Sequence, residues 1–164
     1  MRDSILIAAQ PVEVAEKLRA MADFRYRLRR FAGFSEAVSE AAGVTGQQYQ
    51  MLQVVATADD GVRATISYLA ERMVLRHNSA VELVDRAERA GLVRRVADAS
   101  DLRRSVVEMT ERGRDVLLRL AEEHLQELRR LGPEMALALA TVVSGPETTA
   151  ETGPLEGALI EVER

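Results

Sequence analysis

Cysteine is absent from the sequence, which excludes disulfides, thiolate zinc sites and thiol-based redox sensing. Histidine is nearly absent: His77 and His124 are the two present, so a transition-metal site would have to lean on carboxylates, and none is expected. Lysine is represented by Lys17 alone, so the basic side chains are almost all arginine. Aromatic residues make up 4% and there is no tryptophan. No apolar run approaches the ~20 residues of a membrane-spanning helix, and Ile5–Ala9 is too short for the core of a leader. The expectation is a cytoplasmic protein with no membrane partner. Also missing are a nucleophile elbow, a paired-histidine ligand motif and a cofactor fingerprint, so neither an enzyme nor a bound cofactor is expected.

What is there fits one helix-rich globular unit: 164 residues, 47% hydrophobic and 29% charged, with four prolines. The formal net charge of −4 is unevenly spread. Five acids and one base in Ser144–Arg164 account for all of it, whereas Val62–Thr110 carries nine arginines against seven acids. Arginine forks onto phosphate and guanine, so an arginine-weighted central segment is compatible with a nucleic-acid partner despite the acidic total.

From Pro11 onward, Leu18, Met21, Phe24, Leu28, Phe31, Phe34 and Val38 recur at spacings of three and four, predicting a long amphipathic helix that Gly43 closes. Thr45 with Gln48 reads as a capping box for a helix carrying Tyr49, Leu52 and Val55. Thr65 or Ser67 caps a short helix with Ile66, Leu69, Ala70 and Met73. After a tight connection at Val74-Leu75, a second helix carries Ala80, Val81, Leu83, Val84 and Ala87 and stops before Gly91. Two helices so joined form a helix-turn-helix pattern. Leu92–Ala97 and Ser105–Met109 read as short strands flanking a polar loop, the form of a wing. Thr110 caps a last long helix with Val116, Leu117, Leu120, His124, Leu128 and Leu131 on one stripe. Gly132-Pro133 is predicted to interrupt it before a short apolar helix over Met135–Val143. The fold class expected is mainly α with a small β-hairpin wing. Residues 1–43 supply an N-terminal dimerisation helix and 44–110 a winged helix-turn-helix; 111–143 supply C-terminal dimerisation helices and 144–164 a flexible acidic tail.

From Val44 to Leu118 the sequence resembles the MarR family of bacterial regulators. The likeness is carried by Val44–Tyr49, Thr65–Met73, Arg76–Arg86 and Glu88–Arg95, then by Asp101-x-Arg103-x-x-x-Val107-x-Met109-Thr110-x-x-Gly113. It departs at Glu82, where many members carry a polar or basic residue, and at Ala87, where a larger core residue is common. The resemblance implies a homodimer that binds double-stranded DNA at a pseudo-palindromic operator, acts as a repressor and is released by a small aromatic or phenolic effector.

A helix enters the major groove by its N-terminal end, so Arg76, His77, Asn78, Ser79 and Glu82 are the candidate readers, with Thr65 beside them and Arg86 at phosphate. Asn78 or Ser79 could instead cap the helix. Glu82 could accept from a cytosine amino group or repel phosphate. The resemblance places Arg103 in the minor groove with Asp101 orienting it, an Asp–Arg turn stabiliser being the alternative for the loop; Arg95 and Arg104 are further candidates for backbone contacts. Phe31, Phe34, Tyr49, Tyr68 and His124 are candidates to line an effector crevice, although rings at helical spacing are usually core. A winged-helix interaction module that has lost DNA binding is the competing function.

Overall fold

The computed structural model describes residues 12–58, 63–98 and 105–143. Asp101, Arg103, Arg104 and the tail 144–164 lie outside the described residues.

Five helices and one hairpin follow in the order α1 (Val12–Ala41), α2 (Gly46–Ala56), α3 (Ile66–Arg72), α4 (His77–Arg89), β1 (Val93–Ala97), β2 (Ser105–Met109) and α5 (Glu111–Val143). Helices α1 and α5 form a pair of arms, and the elements between them form a head. No helix among the described residues is long and apolar enough to cross a membrane.

Local chemistry sets the helix starts. The Thr45 side chain accepts from the Gln48 backbone N–H at 3.2 Å while the Gln48 side chain accepts from the Thr45 N–H at 2.9 Å, completing the capping box of α2. Thr65, rather than Ser67, caps α3 by accepting from the Tyr68 N–H at 3.3 Å. Thr110 accepts from the Gly113 N–H at 3.0 Å, and its hydroxyl oxygen, as donor, lies 2.7 Å from the Gly91 carbonyl and 3.0 Å from that of Leu92, so the cap of α5 also ties that helix to the exit of α4. Helices α1 and α4 stop at Gly43 and Gly91, both with positive φ.

Strands β1 and β2 pair antiparallel with Arg95 opposite Val107. Val107 also donates to the Ala64 carbonyl at 2.9 Å, next to a bridge between Thr65 and Val106, which fastens the hairpin to the start of α3. The head's core is Tyr49, Met51, Leu52, Leu69, Leu83, Val84, Leu92, Val93 and Val107, closed on one side by Val116 and Leu120 of α5.

One expectation fails in the arms. The predicted interruption at Gly132-Pro133 does not occur, and α5 runs unbroken through Pro133. Proline removes one helical hydrogen bond, but Leu131 and Ala138, two turns apart and both buried, keep the segments on either side aligned against the rest of the arm pair. The apolar stripe of α1 divides along its length: Phe31, Phe34 and Val38 are partly buried within the chain, whereas Leu18, Met21 and Leu28 are exposed. The small Ala15, Ala20, Ser35 and Ser39 are buried as well.

Candidate nucleic-acid interface

Helix α4 presents two faces. Ala80, Leu83, Val84 and Ala87 recur at spacings of three and four and are buried, which turns the intervening positions to solvent. Its N-cap is Arg76, and no side chain makes a cap hydrogen bond, so the capping alternative for Asn78 and Ser79 is not what these residues do. Arg76, His77, Asn78 and Ser79 are all exposed. Among the described residues none of the four has a side-chain hydrogen bond or ion pair. The first turn of this helix therefore offers free backbone N–H groups, a guanidinium, an imidazole, an amide and a hydroxyl, none committed internally.

Further along, charges are paired. Glu82 lies 3.9 Å from Arg86 one turn on, with both exposed, so its carboxylate is partly balanced by its own helix. Arg95, on β1, reaches back across α4: Nη1 donates to Glu88 at 2.8 Å and Nη2 to Asp85 at 2.5 Å. Its side chain is only 25% exposed. Partial burial disfavours its charged form, but the hydrogen bonds to Asp85 and Glu88 and their attraction outweigh this and hold its pKa above the ordinary value. On the outer side of the hairpin Arg94 pairs with the directly opposed Glu108 at 2.8 Å. Thr65 spends its hydroxyl on capping α3. The structure thus sets Arg76, His77, Asn78, Ser79, Glu82 and Arg86 together on one exposed strip, and separates Arg95 and Thr65 from it by giving each an internal partner.

A sequence model of the MarR family matches residues 42–104, the span from the end of α1 through the wing. Over that span the chain is similar to the MarR family. Its fold is similar to that of AbsC, a MarR family transcriptional regulator from Streptomyces coelicolor, at 25% identity over 75% of this chain and 86% of that one, with a TM-score of 0.64. It is also similar to a mutant of MepR from S. aureus bound to an oligodeoxyribonucleotide, at 22% identity over 74% and 81% of the two chains and a TM-score of 0.52. In sequence it is 31% identical over 103 residues to a Thauera aromatica protein named for transcriptional regulation of the hcr operon. That match takes in 63% of this chain and spans 60% of the length of that relative.

Four of the five ring residues proposed for an effector crevice meet where α1, α2 and α5 join. His124 stacks on Tyr49 with centroids 4.3 Å apart and meets Phe31 and Phe34 edge-on at 5.9 and 5.6 Å. The imidazole is buried; Nδ1 lies 2.7 Å from the Leu120 carbonyl and Nε2 2.9 Å from the Ser35 hydroxyl. A carbonyl only accepts, so Nδ1 carries the proton and, in the neutral ring, Nε2 accepts from Ser35. Burial raises the pKa of the Tyr49 phenol, whose oxygen accepts from Gln53 at 3.2 Å. These rings turn faces and edges to one another. Tyr68 packs elsewhere, half-buried against the head's core.

The arms, read from sequence as dimerisation helices, carry exposed apolar side chains: Leu18, Met21 and Leu28 on α1, and Leu125, Leu128, Leu137, Leu139 and Val143 on α5. Met21, Phe24, Arg25, Leu28, Leu139 and Val142 line an open hollow of about 390 Å³ between the two arms.

Proposed function

We propose that this chain is a sequence-specific DNA-binding transcription regulator, a repressor that binds a pseudo-palindromic operator as a homodimer. One observation carries the reading: the N-terminal turn of α4 projects from a helix-turn-helix with four polar side chains that serve no internal purpose. A helix so placed enters the major groove by that end, and Arg76 and Asn78 have the donors and acceptors that read base edges there. Glu82 and Arg86 then lie further into the helix, at the groove wall. The loop between β1 and β2 would bring Arg103, oriented by Asp101, to the neighbouring minor groove, with Arg104 at its backbone. The oligodeoxyribonucleotide bound by the MepR mutant supports a DNA partner for this fold.

The second copy is supported by the arms. A stable monomer rarely leaves this much contiguous leucine, methionine and valine in water. Closing that face with its own two-fold mate would hide it and present two α4 helices one DNA turn apart, about 34–36 Å. The ring cluster around His124 lends no support to an effector site, because its members are satisfied by one another. The proposal therefore needs no effector.

The test is a salt titration of binding, followed by fluorescence anisotropy, on random duplex and on sequences selected from a random pool. Salt-dependent binding with palindromic enrichment is expected. Arg76→Ala and Arg103→Ala should each lower the log–log salt slope by roughly 0.9 if each neutralises one phosphate. Absence of salt-sensitive binding to any duplex would favour the interaction-module reading instead, and a monomer at micromolar concentration would remove the palindrome.

A further inference from the structure

Among the described residues, Arg95 departs from the other cations of the head in how fully it is held. Its own backbone N–H donates to Glu88 Oε1 at 2.9 Å, while Nη1 of the same residue donates to Glu88 Oε2 at 2.8 Å. One carboxylate thus grips both ends of one residue. Nη2 reaches the turn before, donating to Asp85 at 2.5 Å and approaching the Val81 carbonyl at 3.5 Å. Arg76, by contrast, is unbonded, and Arg86 touches Glu82 only at 3.9 Å. The bracket spans two turns of α4 from the middle of β1. On the other edge of β1, Arg95 is paired with Val107, and Val107 is bonded to Ala64. The covalent link between α4 and β1 is three residues, Ala90-Gly91-Leu92, turning on the left-handed Gly91. So short a link fixes where the hairpin starts but not its tilt, which the bracket on one edge of β1 and the Val107–Ala64 bond beyond the other are placed to hold.

Resting on the DNA-binding reading above, we propose that Arg95 is a positioning residue: it touches no DNA but sets the angle between the recognition helix and the wing, so that both meet one duplex. This replaces its assignment from sequence as a phosphate contact. A guanidinium is suited to the task because its planar fork bridges two carboxylates at once, which an ammonium cannot do with the same geometry. The bracket also covers the charge of Asp85 and Glu88, two acids on the helix that approaches a polyanion. Left bare, they would repel phosphate over about the 8–10 Å that salt leaves unscreened.

The experiment compares wild type, Arg95→Ala, Arg95→Lys and Asp85→Asn for binding to the selected operator and to random duplex across a salt series. Thermal melts and circular dichroism of each variant run alongside. Positioning predicts that folded Arg95→Ala loses operator affinity roughly 10- to 100-fold, the scale of one mismatched base pair, and loses far less on random duplex. Its salt slope stays within about 0.3 of wild type, because no phosphate contact is removed. Arg95→Lys should behave nearly like alanine, since charge without the fork cannot brace, and Asp85→Asn should fall in between and keeps the test alive should Arg95→Ala fail to fold. A slope reduced by roughly 0.9 would make Arg95 a phosphate contact, and full rescue by lysine would make it a simple charge. Unchanged operator affinity in a folded but less stable variant would make the bracket structural only. Each of these overturns the inference while leaving the DNA reading intact. Wild type that binds no duplex overturns both.

Discussion

Three helices in this chain end in the same hydrogen-bonded turn, and one of them is built with the wrong residue. At the end of α1, Gly43 donates to Glu40 and Val44 to Ser39; at the end of α4, Gly91 donates to Glu88 and Leu92 to Ala87. At the end of α3 the pattern repeats, Val74 donating to Glu71 at 3.1 Å and Leu75 to Ala70 at 2.8 Å. The residue at the left-handed position is glycine in the first two, with φ of 77° and 70°, and valine in the third, with φ of 54°. A residue with a Cβ pays about 1–2 kcal/mol to sit there. Val74 recovers almost nothing by packing, because it is 91% exposed. Val74→Gly relieves that strain, while the extra freedom of glycine in the unfolded chain takes back about 0.4–1 kcal/mol. The net expectation is a gain of about 0.5–1 kcal/mol, a rise in Tm of roughly 1–4 °C for a protein of this size. The reciprocal change, Gly43→Val, is a clean control, since a Cβ at Gly43 would meet nothing within 4 Å and the cost would be backbone alone. It should lower stability by a similar amount. Both are read from urea midpoints and thermal melts at one fixed protein concentration, because the proposed dimer would make Tm concentration-dependent. A Val74→Gly protein that melts at or below wild type, or a neutral Gly43→Val, would refute the strain argument.

Ser35→Ala leaves the buried Nε2 of His124 with no donor, and should cost about 1–3 kcal/mol in urea unfolding; a loss under about 0.5 kcal/mol would mean that the bond contributes nothing. The Tyr49 phenol, whose pKa burial raises, keeps its proton in the folded protein while the unfolded chain ionises near the ordinary value of about 10, so stability is retained below that pH and lost as pH climbs through the folded value. Urea midpoints measured between about pH 8 and 11 should fall less steeply in Tyr49→Phe than in wild type, and an identical fall would assign the alkaline loss to other groups.

What the sequence made legible was what neighbouring residues decide among themselves. Thr45 with Gln48, Thr65, Thr110, Gly43 and Gly91 act within a few positions of where they stand, so helix starts and stops could be read directly. The buried face of α4 was likewise set by spacing. The failures all involve a distant partner. Pro133 reads locally as a break, and only the packing of Leu131 and Ala138 on either side explains why the helix continues. The apolar residues of α1 read as one stripe, yet Phe31, Phe34 and Val38 pack within this chain while Leu18, Met21 and Leu28 stay exposed, because the periodicity of a helix does not say whether a stripe meets its own chain or another. Arg95 looked like any exposed cation, and nothing near it in sequence marks Asp85, ten residues earlier, as its partner.

Bonding inside the head differs in kind from bonding between head and arms. Within the head, directional polar bonds cross from element to element: Arg95 to Asp85 and Glu88, Val107 to Ala64, and Thr110 to the carbonyls that end α4. Where α2 meets the arms, Tyr49 stacks on His124, whose polar bonds go to Ser35 of α1 and Leu120 of α5, and a long polar contact crosses from the Gly46 N–H to Glu36 Oε1 at 3.5 Å. Hydrogen bonds weaken steeply as their angle changes, whereas stacked and edge-on rings hold over a range of tilts. The joint at Tyr49 and His124 therefore tolerates more change of tilt than the polar bonds within the head, which are expected to hold the head as one piece. For two heads on a paired set of arms, the distance between recognition helices then varies through that joint, while the angle between each recognition helix and its wing stays as the Arg95 bracket sets it.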